Sequence, residues 1–150
     1  MNFAAIFPGQ GSQSVGMLAE LASGNDTVAR TLDEASAELG FDLAGMMRDG
    51  PAEELNRTEN TQPALLAAGV AAWRAWQTAG GAEPVACAGH SLGEYTALVV
   101  AGVLDFDAAL KLVQLRGRAM QEAVPAGSGA MAAILGLNIA TVERVCAEST

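Results

Sequence analysis

The chain has 150 residues, 51% of them apolar and 17% charged, a balance that fits one α/β domain with a sizeable core and excludes disordered and fibrous classes. Asp and Glu number 17 against 8 Lys and Arg, a net charge of −9, which argues against a general nucleic-acid or anionic-membrane surface.

Asn2 to Phe7 is an apolar run cut off by Pro8-Gly9 and reads as a buried strand. This N-terminal stretch has no basic region and too short an apolar run for a signal peptide. The strand feeds F-P-G-Q-G-S-Q, residues 7–13. There Gly9-Gln10-Gly11 lies between a strand and a helix, so its backbone N–H groups can form an anion-binding nest. The dinucleotide fingerprint is not met, because its third glycine would be Ser14 and Gly16 is out of register. A helix is expected through Met17, Leu18 and Leu21. A second runs from about Asp26 to Leu39, with Val28, Leu32, Ala35 and Leu39 on one stripe and Gly40 as its stop. Asp42 starts a short helix ending near Gly50, and Pro51 takes the first position of another, A-E-E-L. Thr61 to Ala79 is a long helix, apolar almost all round (Leu65, Leu66, Val70, Trp73, Trp76) and stopped by Gly80-Gly81. Such a helix is expected to be buried on several sides.

Pro84 to Ala88 is a short apolar run and reads as a second strand, with Cys87 inside it. Glu94 to Ala101 reads as an apolar helix, and between the two sits G-H-S-L-G, residues 89–93. A strand that turns sharply into a helix at G-x-S-x-G sets the serine hydroxyl on an exposed, strained corner. The flanking glycines are required because a Cβ two residues either side would collide as the chain reverses. Ser91 also stands at a helix N-terminus, whose free N–H groups can hold a developing oxyanion. It is therefore the candidate nucleophile; the competing structural reading is a glycine-rich turn with a capping serine.

Asp105 to about Glu122 is the next helix, with Asp105 or Asp107 near its cap. Pro125 to Gly129 reads as a linker and subdomain boundary, Gly129 to Leu137 as a strand, and Asn138 onward as a final helix. Cys87 and Cys146 form no C-x-x-C pair and read as reduced core residues, pointing to a reducing compartment. The longest apolar segments carry Arg74 in one case and His90 and Glu94 in the other, so neither reads as a membrane span. A cytoplasmic protein is expected. Two strands before the linker and one after it are too few for a parallel sheet buried on both faces. The sheet is therefore expected to be completed by material beyond Thr150.

A serine nucleophile needs a base, usually His. The single histidine, His90, is adjacent to Ser91 and diverges from it at the strand end. It is read as packing near the pocket or making a secondary polar contact, and the base is expected outside this chain. Arg116 lies on the apolar stripe of its helix among Leu112, Val113, Ala119 and Met120. A guanidinium there requires an anion or must snorkel out. Two readings stay open: a fork onto a substrate carboxylate, or a buried pair with an Asp or Glu of another element. Arg118 with Glu122, and Lys111 with Asp107, read as surface pairs. No metal ligand set is expected.

F-P-G-Q-G-S-Q at 7–13 and G-H-S-L-G-E-Y at 89–95, in this order, resemble the acyltransferase family of malonyl-CoA:acyl carrier protein transacylases. Similar segments are G-P-A-E-E-L-N at 50–56, T-Q-P-A-L at 61–65, L-R-G-R-A-M-Q at 115–121 and G-A-M-A-A-I at 129–134, so the likeness covers essentially the whole chain. It is nearest in kind to the stand-alone enzymes of bacterial fatty-acid synthesis. The resemblance implies that Ser91 is the acylated nucleophile, that Gln10 and Leu92 supply the oxyanion-hole N–H groups, and that Arg116, with Gln10, binds the malonyl substrate. An aliphatic Leu92 matches malonyl-selecting members. The implied fold is an α/β-hydrolase-like core with a parallel sheet and nucleophile elbow, residues 1–124. Residues 125–150 would be the linker and first strand and helix of an inserted ferredoxin-like subdomain. The family's base histidine and a later substrate-holding glutamine lie in a second half that this sequence lacks. The implied partners are malonyl-CoA and acyl carrier protein, with no resident cofactor, since phosphopantetheine is carried by the acceptor; no nucleic acid and no membrane are expected. Carrier proteins are usually acidic, so docking on this acidic chain would need a local basic patch. Two alternatives carry the same serine motif: a serine esterase or thioesterase of α/β-hydrolase type, and a catalytically incomplete fragment or docking module.

Overall fold

The computed structural model describes residues 2–124 and 134–148. Strand β1 spans Ala4–Phe7 and is followed by helices α1 (Ala19–Gly24), α2 (Asp26–Leu39), α3 (Leu43–Asp49), α4 (Ala52–Leu55) and α5 (Thr58–Thr78). Strand β2 (Ala86–Gly89), α6 (Leu92–Val100), α7 (Phe106–Ala123) and α8 (Ile139–Glu148) complete the order. The result is an α/β fold with a small parallel sheet and many helices: β1 pairs with β2 in the register Ala4↔Ala86 through Phe7↔Gly89.

Local chemistry explains the helix ends. Asn25 caps α2 by accepting from the N–H groups of Thr27 and Val28, and Gly40 closes it at φ 75°, a left-handed position that glycine takes without strain. Asp42 caps α3 through the Gly45 N–H at 2.8 Å. At α7, Asp105 holds the N-cap position without a side-chain cap bond. The helices form one core around α5, which buries Thr61 to Ala67, Val70, Ala71 and Ala75. Against it lie Val28, Leu32 and Ala35 of α2, Leu92 of α6, and Phe106, Leu110 and Val113 of α7. Arg74 of α5 pairs with Glu34 and lies 4.8 Å from the Phe106 ring centroid, tying three helices together.

Several elements depart from their expected form. Helix α5 starts at Thr58, before the Thr61 expected, and holds Pro63 inside it. Its last turns have a wet face: Trp76 is 47% exposed, its indole N–H donating to the Ala82 carbonyl at 3.0 Å, and Trp73 is half-buried. Trp is amphipathic, so a hydrogen-bonded ring is stable at this surface. Pro51 is the extended N-cap of α4 rather than its first helical residue. Helix α1 begins after Met17 and Leu18 and buries none of its residues. Cys87 is half-buried and Cys146 exposed, so Cys146 is not a core residue. Linker residues 125–129 and most of the strand expected at 129–137 lie outside the described residues; Ile134 to Leu137 are not in a strand. Among the described residues no helix is long and apolar enough to cross a membrane.

The sheet has unlike faces. Phe7 is buried against Gly69 of α5, whereas Ala4, Ile6, Ala86 and Ala88 are exposed, Ile6 by 78%. Since side chains alternate along a strand, one face is covered by α5 and α6 and the other is bare.

Candidate active site

Three backbone contacts build the corner between β2 and α6. A Cβ on Gly89 would fall 1.9 Å from the Gly93 carbonyl carbon, and one on Gly93 would fall 2.1 Å from the Phe7 oxygen. Both glycines are thus demanded by close approach, as the spacing anticipates. A Cβ on Gly9 would meet the His90 oxygen at 2.7 Å and its Nδ1 at 2.8 Å, so the turn after β1 lies directly on the corner. The His90 N–H donates to the Phe7 oxygen at 3.1 Å and fastens the two segments.

Ser91 is held between them at φ 53°, ψ −107°, a positive-φ conformation that L-residues rarely adopt and that costs about 1–3 kcal/mol. It is exposed and makes no side-chain cap bond to α6. Two N–H groups of the first turn of α6 are occupied, Gly93 on the His90 oxygen at 2.9 Å and Glu94 on the Ser91 oxygen at 3.2 Å. The Leu92 N–H, at the opening of α6, makes no hydrogen bond among the described residues, while the Leu92 side chain is 0% exposed in the core. The Gln10 N–H is likewise without a bond among the described residues, and the Gln10 side chain donates to Thr58 Oγ1 at 3.2 Å. No hydrogen bond joins His90 to Ser91 among the described residues, and His90 packs over Gly9 instead.

Arg116 reaches this corner from α7. Its Nη2 donates to Ser91 Oγ at 3.1 Å and its Nη1 to Gln62 Oε1 at 2.7 Å. The guanidinium carbon stands 5.6 Å from the Tyr95 ring centroid. Among the described residues no carboxylate pairs with it, which corrects the buried Asp or Glu pair left open above. A half-buried guanidinium that faces an amide, a hydroxyl and an aromatic ring, with no described carboxylate beside it, has the chemistry to receive an anion.

The other basic residues of α7 also choose different partners from those expected. Lys111 pairs with Glu38 of α2, and Arg118 lies 3.9 Å from Glu59 of α5 rather than pairing with Glu122. The hydrogen bond that Lys111 donates to Glu38, and then the charge of that carboxylate, raise the Lys111 pKa above the ordinary lysine value; Asp107 adds a smaller push. Packing between helices brings these carboxylates closer than the same-helix neighbours.

Residues not singled out from the sequence complete the site. Gln62 is fully buried, its Nε2 donating to Met120 Sδ at 3.2 Å, so its oxygen is turned to Arg116. Its signal was an amide near the start of a helix apolar almost all round. Tyr95 follows Ser91 by one helical turn, the spacing that places it on the same side. Among the described residues no group of three or more His, Cys, Asp or Glu could hold a metal ion.

Residues 5–148 match the acyl transferase domain family. The chain is 60% identical over 148 residues to the malonyl CoA-acyl carrier protein transacylase of Salmonella typhimurium, covering 99% of this chain and 48% of that protein. It superposes on the malonyl CoA-acyl carrier protein transacylase of Coxiella burnetii with a TM-score of 0.93 and 54% identity, over 99% of this chain and 47% of that one. A chain from the complex of a type II PKS acyl-carrier protein with its malonyl-transacylase matches with a TM-score of 0.92 and 58% identity, over 99% of this chain and 48% of that one. The chain thus spans about half the length of the curated relatives it matches. A strained serine at a glycine-built corner, with the Leu92 N–H next to it unbonded among the described residues, and a sequence match over nearly every residue agree: the chain belongs to the acyl transferase domain family.

Proposed function

We propose that these residues form the nucleophile and carboxylate-recognition parts of a malonyltransferase that moves malonyl from malonyl-CoA to the phosphopantetheine thiol of an acyl carrier protein in fatty-acid synthesis. The observation that carries this is the Arg116 guanidinium, uncompensated by any described carboxylate, donating to the hydroxyl of the strained Ser91. The relatives' names support malonyl as the acyl group and a carrier protein as acceptor.

In the first half-reaction Ser91 Oγ bonds to the thioester carbonyl carbon while its proton passes to a base. The carbonyl oxygen becomes an oxyanion that rests on the N–H groups of Gln10 and Leu92. Collapse breaks the C–S bond, and CoA leaves as the thiol, taking a proton. In the second, the phosphopantetheine thiol attacks the malonyl-Ser91 ester by the same route and Ser91 regains its proton. Arg116 holds the malonyl carboxylate by paired N–H donors, with Gln10 beside it as a further substrate contact. His90 supports the corner by packing on Gly9, and the base is supplied from outside residues 1–150. The same reading takes residues 1–124 as part of an α/β-hydrolase-like core and 125–150 as the start of a ferredoxin-like subdomain, with no resident cofactor and a cytoplasmic location.

Intact-mass measurement after mixing the full-length polypeptide with malonyl-CoA tests the proposal. One malonyl group on Ser91, removed by a thiol acceptor and absent in Ser91→Ala, is the expected result. Free malonate without an acceptor would make the protein a hydrolase, and no adduct at all would make it a non-catalytic module.

A further inference from the structure

Past Gly9, which is buried against His90, the turn that carries Gln10 has little packing to hold it. Pro8, Gln10, Gly11 and Ser12 are exposed, and Gly11 adopts φ 105°. Beyond the local bond from Ser12 Oγ to the Gly9 oxygen at 2.8 Å, its shape depends on side-chain amides. Gln13 uses both ends of its own. Its Oε1 accepts from the Gly11 N–H at 2.8 Å, and its Nε2 donates to Asn56 Oδ1 at 2.8 Å. Asn56 is in turn fixed by its backbone, whose N–H donates to the Ala52 oxygen at 2.9 Å at the end of α4. The amide orientation is therefore determined: with its oxygen on Gly11, Gln13 presents NH2 to Asn56, and Asn56 must present oxygen.

The Gly11 N–H belongs to the planar peptide that follows Gln10, and only the φ and ψ of Gln10 separate it from the Gln10 N–H. Holding one plane therefore restricts where the other can aim. Resting on the acyl-transfer reading above, we infer that Gln13 and Asn56 are positioning residues, whose amide pair keeps the Gln10 N–H directed at the oxyanion formed on the Ser91 ester. Neither touches substrate. Their effect falls on a charge that exists only in the transition state, so it belongs in the rate of acylation rather than in substrate affinity.

The test is single-turnover acylation of Ser91 over a series of malonyl-CoA concentrations, with thermal melts, in the full-length polypeptide. Gln13→Ala and Asn56→Ala each lower the maximal acylation rate by about 10-fold, since a small misplacement of a catalytic donor costs this much or more. Half-saturating malonyl-CoA stays within about 2-fold, because Arg116 and Gln62 are untouched. Asn56→Asp keeps an acceptor for Gln13 Nε2 and recovers most of the rate, while the melts coincide. The inference is overturned if Gln13→Ala acylates like wild type, if Asn56→Asp is as slow as Asn56→Ala, or if rates simply track melting temperatures. A wild-type protein that never takes up malonyl would overturn both this inference and the proposed function; normal wild-type acylation with unaffected variants would remove this inference alone.

Discussion

At the scale of single residues the site sets a guanidinium that no described carboxylate pairs beside a strained hydroxyl. Removing the cation tests what it recognises. Arg116→Ala is expected to lower kcat/KM for malonyl-CoA by about 100-fold or more and for acetyl-CoA by less than about 5-fold, because only the malonyl carboxylate loses a partner. Steady-state kinetics with both substrates decide it; equal losses would take Arg116 out of that role. Gln62→Leu keeps the volume of a fully buried side chain but deletes the acceptor for Arg116 Nη1. A charge-assisted hydrogen bond is worth about 1.5–3 kcal/mol, so the malonyl-CoA KM should rise about 10-fold with little change in folding stability. The corner at Ser91 was legible because what forms it lies within five residues, G-H-S-L-G, or at the end of β1 and in the turn after it. The partners of Arg116 were not: Gln62 sits 54 positions away, and only the packing of α5 on α7 decides whether an amide or a carboxylate meets the guanidinium.

At the scale of elements, the site depends on how closely α7 approaches α5. Gly117 permits that approach: a Cβ there would lie 2.7 Å from the Glu59 Cα and 2.8 Å from the Thr58 oxygen. Gly117→Ala would gain about 1 kcal/mol of helix propensity. The obstacle is backbone, however, which cannot rotate aside, and overpacking costs about 1–3 kcal/mol. A net loss of stability is expected, read as a lower denaturant midpoint, together with weaker malonyl binding as Arg116 is carried away from Gln62. Element identity was legible where periodicity and caps agree, as in α2 with Asn25 before it and Gly40 after it. The start of α5 was not, because N-R-T-E-N has no apolar stripe and Pro63 reads as a first-turn residue. Tertiary burial of Thr61 and Gln62 outweighs both signals.

At the scale of the whole molecule, the described residues leave an apolar sheet face and two strand edges open. Ile6 is 78% and Val85 68% exposed, and Leu115 on α7 is 65% exposed. A parallel sheet is ordinarily covered on both faces, and bare apolar patches with free edges invite association. Residues 1–150 expressed alone are therefore expected to bind a hydrophobic dye and self-associate, and Ile6→Lys should reduce both, as seen by fluorescence and size-exclusion chromatography. The same substitution should lower the melting temperature of the full-length polypeptide if further chain covers that face; an unchanged melt would show the face to be bare there as well. The shortage of strands was legible from the sequence because so few apolar runs are strand-like. The unlike faces of β1 were not, since Ala4, Ala5, Ile6 and Phe7 offer no alternation of polarity from which to choose a side.

Leu92 belongs to two environments at once, its isobutyl group sealed among the helices and its amide open at the corner. Rigidity and reactivity are therefore coupled through a single Cα. A cavity opened beneath that side chain, by Leu92→Ala or by truncating a neighbour, would let the first turn of α6 rock and would blur the aim of a donor on which charge must settle. Core repairs and core damage alike should thus register as changes in turnover well before the protein unfolds.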